Sequence, residues 1–269
     1  MIVALIILAV LVVLYLLALR GRTKHPLLRR LRKWNYAHRG LHGNGVPENS
    51  LAAFQKALDA GYGSELDIHL LADGNLAVIH DGSLQRTAGV DVKIESLRTE
   101  DLQNYRLEGT DEKIPTFQEV LDLYAGKAPL IVELKSDGGN FAQLTETACA
   151  VLDKYTGLYC LESFDPRCIR WLKLNRPDLV RGQLSYNSLA DKNCKVAWPL
   201  RLCMTNLLSN FWNTPDFIAY NFHERNNLSV RIARKLWKIQ GVTWTLHNHD
   251  DYKTAVTEDW IPIFEDFEP

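Results

Sequence analysis

From about residue 35 onward, short apolar runs of period two alternate with longer stretches of helical period. Tyr36–Arg39 reads as a short strand entering the loop LHGNGVPEN. Asn49 or Ser50 is placed to cap a helix through Ala60, with Leu51, Phe54 and Leu58 on one face and Gly61 as its stop. Ser64–Asp81 (SELDIHLLADGNLAVIHD) carries two alternating runs around Asp73-Gly74, a dipeptide suited to a two-residue hairpin turn. Such a turn makes opposed residue numbers sum to 147, which predicts Asp67 directly across from His80. Alternation then puts Glu65 and His69 on that same face, with Leu66, Ile68, Leu70, Val78 and Ile79 behind.

Thr99–Tyr105 reads as a short helix, and Thr116 with Glu119 forms a capping box for a helix ending at Gly126. Leu130–Leu134 is an apolar strand with Glu133 inside it. A helix over Asn140–Tyr155, a strand over Leu158–Phe164 and a helix opened by Asp165-Pro166 come next. Leu179–Leu184, Asp216–Asn221, Val242–Leu246 and Trp260–Phe264 are further strands, with helices over Ser229–Gln240 and Asp250–Glu258. About eight strand-then-helix units predict a TIM (β/α)8-type parallel barrel over residues 35–269.

Met1–Leu19 is wholly apolar, and nineteen residues at about 1.5 Å each roughly match one hydrocarbon core. Residues 1–20 are therefore expected to be a transmembrane anchor, lacking the flanks of a cleaved signal peptide. Seven basic residues lie between Arg20 and Lys33, with no acidic residue before Glu48. The positive-inside rule then places the body on the cytoplasmic side of the cell membrane as a single-pass protein. Residues 21–34 form a basic juxtamembrane segment, and Leu27, Leu28, Leu31 and Trp34 share one stripe that suits a headgroup-level helix. Without the seven, 24 basic residues stand against 32 acidic ones, which argues against nucleic acid and for an anionic membrane surface. Five cysteines without ligand-like spacing read as free thiols.

In such a barrel, chemistry gathers where strands end. His38-Arg39, Glu65 and Asp67, His80-Asp81, and Glu133 with Lys135 all fall there. A carboxylate in an apolar strand is costly unless paired or metal-bound. Three carboxylates suit a hard cation such as Mg²⁺ or Ca²⁺, two histidines suit acid and base, and Arg39 and Lys135 suit an anion. Together these parts are expected of phosphoester cleavage.

The order AHRG (37–40), PENS (47–50), ELDI (65–68), ADGNLAVIHD (72–81), QRTAG (85–89), IPTFQEVL (114–121), IVELK (131–135), ESFDP (162–166) and WTLHN (244–248) resembles the glycerophosphodiester phosphodiesterase family. The resemblance implies a TIM barrel that hydrolyses glycerophosphodiesters to an alcohol and glycerol 3-phosphate with one divalent cation. It implies Glu65, Asp67 and Glu133 as metal ligands, His38 and His80 as catalytic histidines, and Arg39 and Lys135 on phosphate. Glu48, Asn49 and Trp244 match positions beside the site that orient substrate or ligands. The chain departs from the family at His69, expected to be a partly exposed strand histidine, and at Phe264-Glu265-Asp266 in place of Ile-Thr-Asp. The latter positions are expected to line the glycerol or leaving-group side.

The nucleophile is either the glycerol 2-hydroxyl, through a cyclic phosphate, or water. Two other readings stand beside hydrolysis of water-soluble diesters. An anchor near lipid fits a lysophospholipase D acting on lysophospholipids. A non-catalytic membrane adaptor is disfavoured because the candidate acid, base and ligand set is intact.

Overall fold

A computed structural model describes residues 1–137 and 139–269. Among the described residues, nine strands form one sheet: β1 (Tyr36–Ala37), β2 (Gly63–Leu70), β3 (Leu76–Val78), β4 (Leu130–Leu134), β5 (Tyr159–Ser163), β6 (Arg181–Ser185), β7 (Phe217–Asn221), β8 (Gln240–Leu246) and β9 (Trp260–Phe264). All except β3 pair in parallel, and β1 bonds to both β2 and β9, which closes an eight-stranded barrel. β3 is the antiparallel return of a hairpin on β2. The expected TIM-type barrel is the fold.

Alternation along each strand divides the barrel. Leu66, Ile68, Leu130, Val132 and Leu161 point outward and pack beneath the surrounding helices. Inward positions near the strand starts are apolar: Tyr36, Ile131, Cys160, Phe217, Val242 and Ile261 share one buried cluster. Gly182 allows this filling, because a Cβ there would overlap the Phe217 ring. Two residues further along β4 and β5, the same inward rows present Glu133 and Glu162. Pairing an apolar floor with carboxylates at the C-terminal end follows directly from a side-chain period of two.

The caps behave as their residues dictate. Ser50 Oγ accepts from Ala53 N at 3.1 Å, and Thr116 with Glu119 closes the capping box. Asp165 caps the helix Pro166–Asn175 with proline in its first turn. All five cysteines are free. The expected Thr99–Tyr105 helix is a 3₁₀ helix over Thr99–Asn104.

The N-terminal segment differs from expectation. Its helix covers Ile2–Ala18, 17 residues, and no described helix is long and apolar enough to cross a membrane. The last turn is committed to the barrel instead. Tyr15 Oη lies 2.8 Å from Ser229 Oγ, Trp237 Nε1 donates to Leu16 O at 2.7 Å, and Leu19 is fully buried. Met1–Leu14 is exposed throughout. The juxtamembrane stretch is not a surface helix either. Only Leu28–Leu31 is helical, and Leu28 and Leu31 are buried in the barrel floor with Tyr36, Ile131 and Phe217. Arg22 is tied to Asp216 at 2.5 and 2.6 Å.

Candidate active site

The strand ends bring eight charged or titratable side chains to one place. Asp67 on β2 is in register with Glu133 on β4, and Glu133 with Glu162 on β5. Glu65 stands two residues earlier on β2, on the same inward face. Carboxylate oxygens of Glu65, Asp67 and Glu133 all lie within 4.8 Å of one another. His38, Arg39, His80, Trp244 and Phe164 join Glu65, Glu133 and Glu162 around a cavity of about 150 Å³.

Glu65, Asp67 and Glu133 are each held by a specific donor. Asn49 Nδ2 donates to Asp67 Oδ2 at 2.9 Å, and Asn49 Oδ1 accepts from Asp67 N at 3.4 Å. Arg39 N donates to Glu65 Oε2 at 3.1 Å. Lys135 Nζ sits 3.0 Å from Asp67 Oδ1 and 2.9 Å from Glu133 Oε2, bridging two strands. The Arg39 guanidinium donates to both oxygens of Glu48, at 3.1 and 3.0 Å, and its Nε is 3.5 Å from Asp67 Oδ2. Glu48 also accepts from Arg86, at 2.9 and 2.6 Å, and Arg86 Nε donates to Asp81 Oδ2 at 2.6 Å.

The two histidines are held alike. His38 Nδ1 is 2.7 Å from Glu265 Oε2, and His80 Nδ1 is 2.6 Å from Asp81 Oδ1. Because an ionised carboxylate only accepts, each Nδ1 carries the hydrogen and each Nε2 is left for other partners. His38 Nε2 faces Glu65, 3.9 Å away. Burial lowers both histidine pKa values; Glu265 partly offsets this for His38 and Asp67 for His80. Both rings are therefore readily neutral, as proton acceptors must be.

The carboxylates share one excess of negative charge. Burial first, then the neighbouring carboxylates, pushes Glu65 and Glu162 well up. Burial and Asp67 raise Glu133 to about 7, with Lys135 opposing. Burial also works against ionised Asp67, but Lys135, His80 and Arg39 outweigh it and hold that group low. Glu162 Oε2 is buried with no hydrogen-bond partner. An oxygen-only donor set with surplus charge and an unpartnered buried oxygen fits a hard divalent cation.

Two expectations need correction. The hairpin register sums to 146, not 147: Ile68 pairs with Val78 and His69 with Ala77. A three-residue loop, Ala72–Gly74, replaces the two-residue turn, with Leu71 N donating to Asn75 O at 2.8 Å and Gly74 at φ +84°. Asp73 favours it by accepting from Asn75 N and Thr99 N, at 3.2 and 2.9 Å. Asp67 therefore opposes Ile79, whose N–H donates to Asp67 O at 3.1 Å. His80 still reaches the site because β3 ends at Val78 and the chain leaves the sheet there.

His69 is buried, not partly exposed, with Nδ1 2.5 Å from Glu95 Oε1 and Nε2 3.1 Å from the His80 carbonyl. It thus fixes the His80 backbone. Glu265, expected on the glycerol or leaving-group side, bonds His38 and lies 3.3 Å from His42 Nε2. Sequence reasoning also left Glu162, Asp81 and Arg86 without roles. Glu162 could have been found by the signal that exposed Glu133, a carboxylate inside an apolar run (YCLES).

Residues 38–267 match the model of the glycerophosphoryl diester phosphodiesterase family. The chain belongs to that family. A glycerophosphodiester phosphodiesterase from Caldanaerobacter subterraneus subsp. tengcongensis is 32% identical over 158 residues, 55% of this chain and 65% of that one. A lysophospholipase D from Rattus norvegicus is 33% identical over 130 residues, 44% of this chain and 40% of that one. The chain thus spans less than two thirds of the length of these curated relatives. An Oleispira antarctica phosphodiesterase, solved with the product sn-glycerol-3-phosphate, superposes with a TM-score of 0.71 at 22% identity, over 87% of this chain and 92% of that one. That likeness is one of fold. Within this family member, PENS supplies Glu48 and Asn49, whose bonds to Arg39 and Asp67 explain why the motif sits beside the strand ends.

Proposed function

We propose that this protein hydrolyses glycerophosphodiesters to an alcohol and glycerol 3-phosphate. The observation that carries the reading is the convergence of two carboxylate-held imidazoles and two cationic side chains on Glu65, Asp67 and Glu133. Those three carboxylates would hold one divalent cation, Mg²⁺ or Ca²⁺, which when bound supplies charge stabilisation to phosphoryl oxygens. Lys135 and Arg39 bind the phosphodiester and keep positive charge beside it. One imidazole Nε2 takes the proton of the nucleophile, the glycerol 2-hydroxyl or water, and the other, protonated, gives one to the departing alcohol. Glu265 and Asp81 hold those rings in the required tautomer. Glycerophosphocholine supplied with Mg²⁺ or Ca²⁺ should yield choline and glycerol 3-phosphate. Phosphocholine with glycerol as products, or no turnover with either metal, would contradict the assignment.

The same reading sets the protein at a membrane. Met1–Leu14 is apolar and exposed, a surface suited to insertion among lipid chains. Release from membranes by high salt alone would count against this, since salt screens charges but leaves apolar insertion intact.

A further inference from the structure

A second group of ligand-type side chains stands beside the phosphoester centre, where β1 and β9 end side by side. His38 follows β1, His42 lies a little further on in the loop LHGNGVPEN, and Glu265 follows β9. Parallel pairing of Tyr36 with Ile263 and Ala37 with Phe264, continued by His38 N donating to Phe264 O at 2.9 Å, brings the three together. Two ring nitrogens and a carboxylate oxygen there lie within 4.8 Å of one another. Glu265 stands between the rings, with Oε2 2.7 Å from His38 Nδ1 and Oε1 3.3 Å from His42 Nε2. His42 Nε2 is buried and makes no hydrogen bond.

These donors differ in kind from those of Glu65, Asp67 and Glu133. Oxygen-only ligands suit Mg²⁺ and Ca²⁺, whereas imidazole suits Zn²⁺ and its transition-metal neighbours. Two histidines and one glutamate form a zinc-type set that leaves a fourth position for water. With metal–ligand bonds of about 2.0–2.2 Å, tetrahedral ligand atoms stand about 3.4 Å apart, close to the spacing of Glu265 and His42. The side chains of His38, His42 and Glu265 expose 14%, 15% and 21% of their surface, which leaves an ion an approach.

We propose that His38, His42 and Glu265 bind a zinc-type cation, and that its binding switches phosphodiester cleavage off. The second half rests on the phosphodiesterase reading above. A metal bond to His38 Nδ1 displaces the hydrogen that Glu265 accepts there, and that proton goes to solvent. The ring then carries a divalent charge, so Nε2 holds a proton less well and no longer serves as base or acid at the phosphoester. Mg²⁺ and Ca²⁺ stay with the oxygen set, so donor type sorts the supporting ion from the inhibiting one.

The test titrates the full chain with Co²⁺ and then Zn²⁺, in excess Ca²⁺ so that the oxygen set is filled. A visible absorption band of low-coordinate cobalt should grow to one equivalent and be bleached by Zn²⁺. Zn²⁺ should stop glycerophosphocholine cleavage over the same concentration range. His42→Ala and His42→Gln each remove one imidazole, and either one, once shown to be folded, decides the matter. Both should still cleave glycerophosphocholine with Ca²⁺. Both should bind Co²⁺, and be inhibited by Zn²⁺, more than about tenfold more weakly, the lower end of the cost when a ligand loses even an orienting partner. No band in the wild-type protein, or a band of unchanged affinity in a folded His42 variant, overturns the site. Zn²⁺ inhibition unchanged in the variants puts the inhibiting ion on the oxygen set and overturns the switch. A His42-dependent band in a protein that cleaves no glycerophosphodiester with Ca²⁺ or Mg²⁺ supports the metal site and overturns the phosphodiesterase reading together with the switch.

Discussion

Replacing Asn49 with glycine tests how tightly the geometry of Asp67 governs cation binding. Asn49 has φ +54°, a left-handed conformation that glycine adopts without strain. The substitution removes the 2.9 Å bond to Asp67 Oδ2 and the 3.4 Å bond from Asp67 N, while the backbone bond from residue 49 N to Arg39 O, 2.9 Å, remains. A hydrogen bond to a charged, buried carboxylate contributes about 1.5–3 kcal/mol. Taken wholly from the cation-bound state, that is about 10- to 150-fold in affinity, overlapping the roughly 10- to 100-fold typical when a ligand loses its orienting partner. Calorimetric titration with Mg²⁺ and Ca²⁺ gives the affinity directly. Asn49→Ala should lose the same affinity but be less stable than Asn49→Gly by about 1 kcal/mol, because alanine is strained at positive φ. A folded Asn49→Gly protein that binds either metal within twofold of wild type would refute the argument.

Three further outcomes follow from the same geometry. His80→Ala should lower kcat by about 10²–10⁴ with metal affinity largely retained, since it removes proton transfer and leaves Glu65, Asp67 and Glu133 in place; near-normal turnover would exclude His80 from the chemistry. Glu265→Ala frees His38 and should reduce kcat about 10- to 100-fold with KM nearly constant, by analogy with other orienting carboxylates, and Glu265→Asp should recover part of it. Glu133, raised to about 7, must give up its proton to bind metal, so apparent affinity should fall about tenfold per pH unit below about 7. The rise in Tm on adding Mg²⁺ or Ca²⁺ should accordingly be larger at pH 8 than at pH 5.5, and an equal rise at both would contradict the raised carboxylate.

The barrel was legible because its signals are local. Ser50, Thr116 with Glu119, and Asp165-Pro166 are caps whose chemistry acts within one turn, and strand alternation put Glu65, Asp67 and Glu133 on one face. What was missed depends on partners far away in the chain. Glu265 becomes meaningful only when closure of the barrel brings it to His38, 227 residues away. The hairpin register turned on whether Asp73 folds back onto Asn75 and Thr99, and Thr99 is distant in sequence. The helices of residues 198–213 carry proline, tryptophan and aromatic residues without a clean amphipathic period, and no element was read there. The apolar run Met1–Leu19 looked long enough to span because sequence does not show that Tyr15, Leu16 and Leu19 are used by the barrel.

The most direct measurement is turnover of glycerophosphocholine by chelator-treated protein before and after Mg²⁺ or Ca²⁺ is restored, run beside Glu133→Gln. The account predicts no glycerol 3-phosphate from the chelated protein, recovery on adding metal, and for folded Glu133→Gln a shift of the metal requirement to concentrations about 10-fold or more higher. Full release of glycerol 3-phosphate in the presence of chelator, or a Glu133→Gln variant with an unchanged metal requirement, would contradict it.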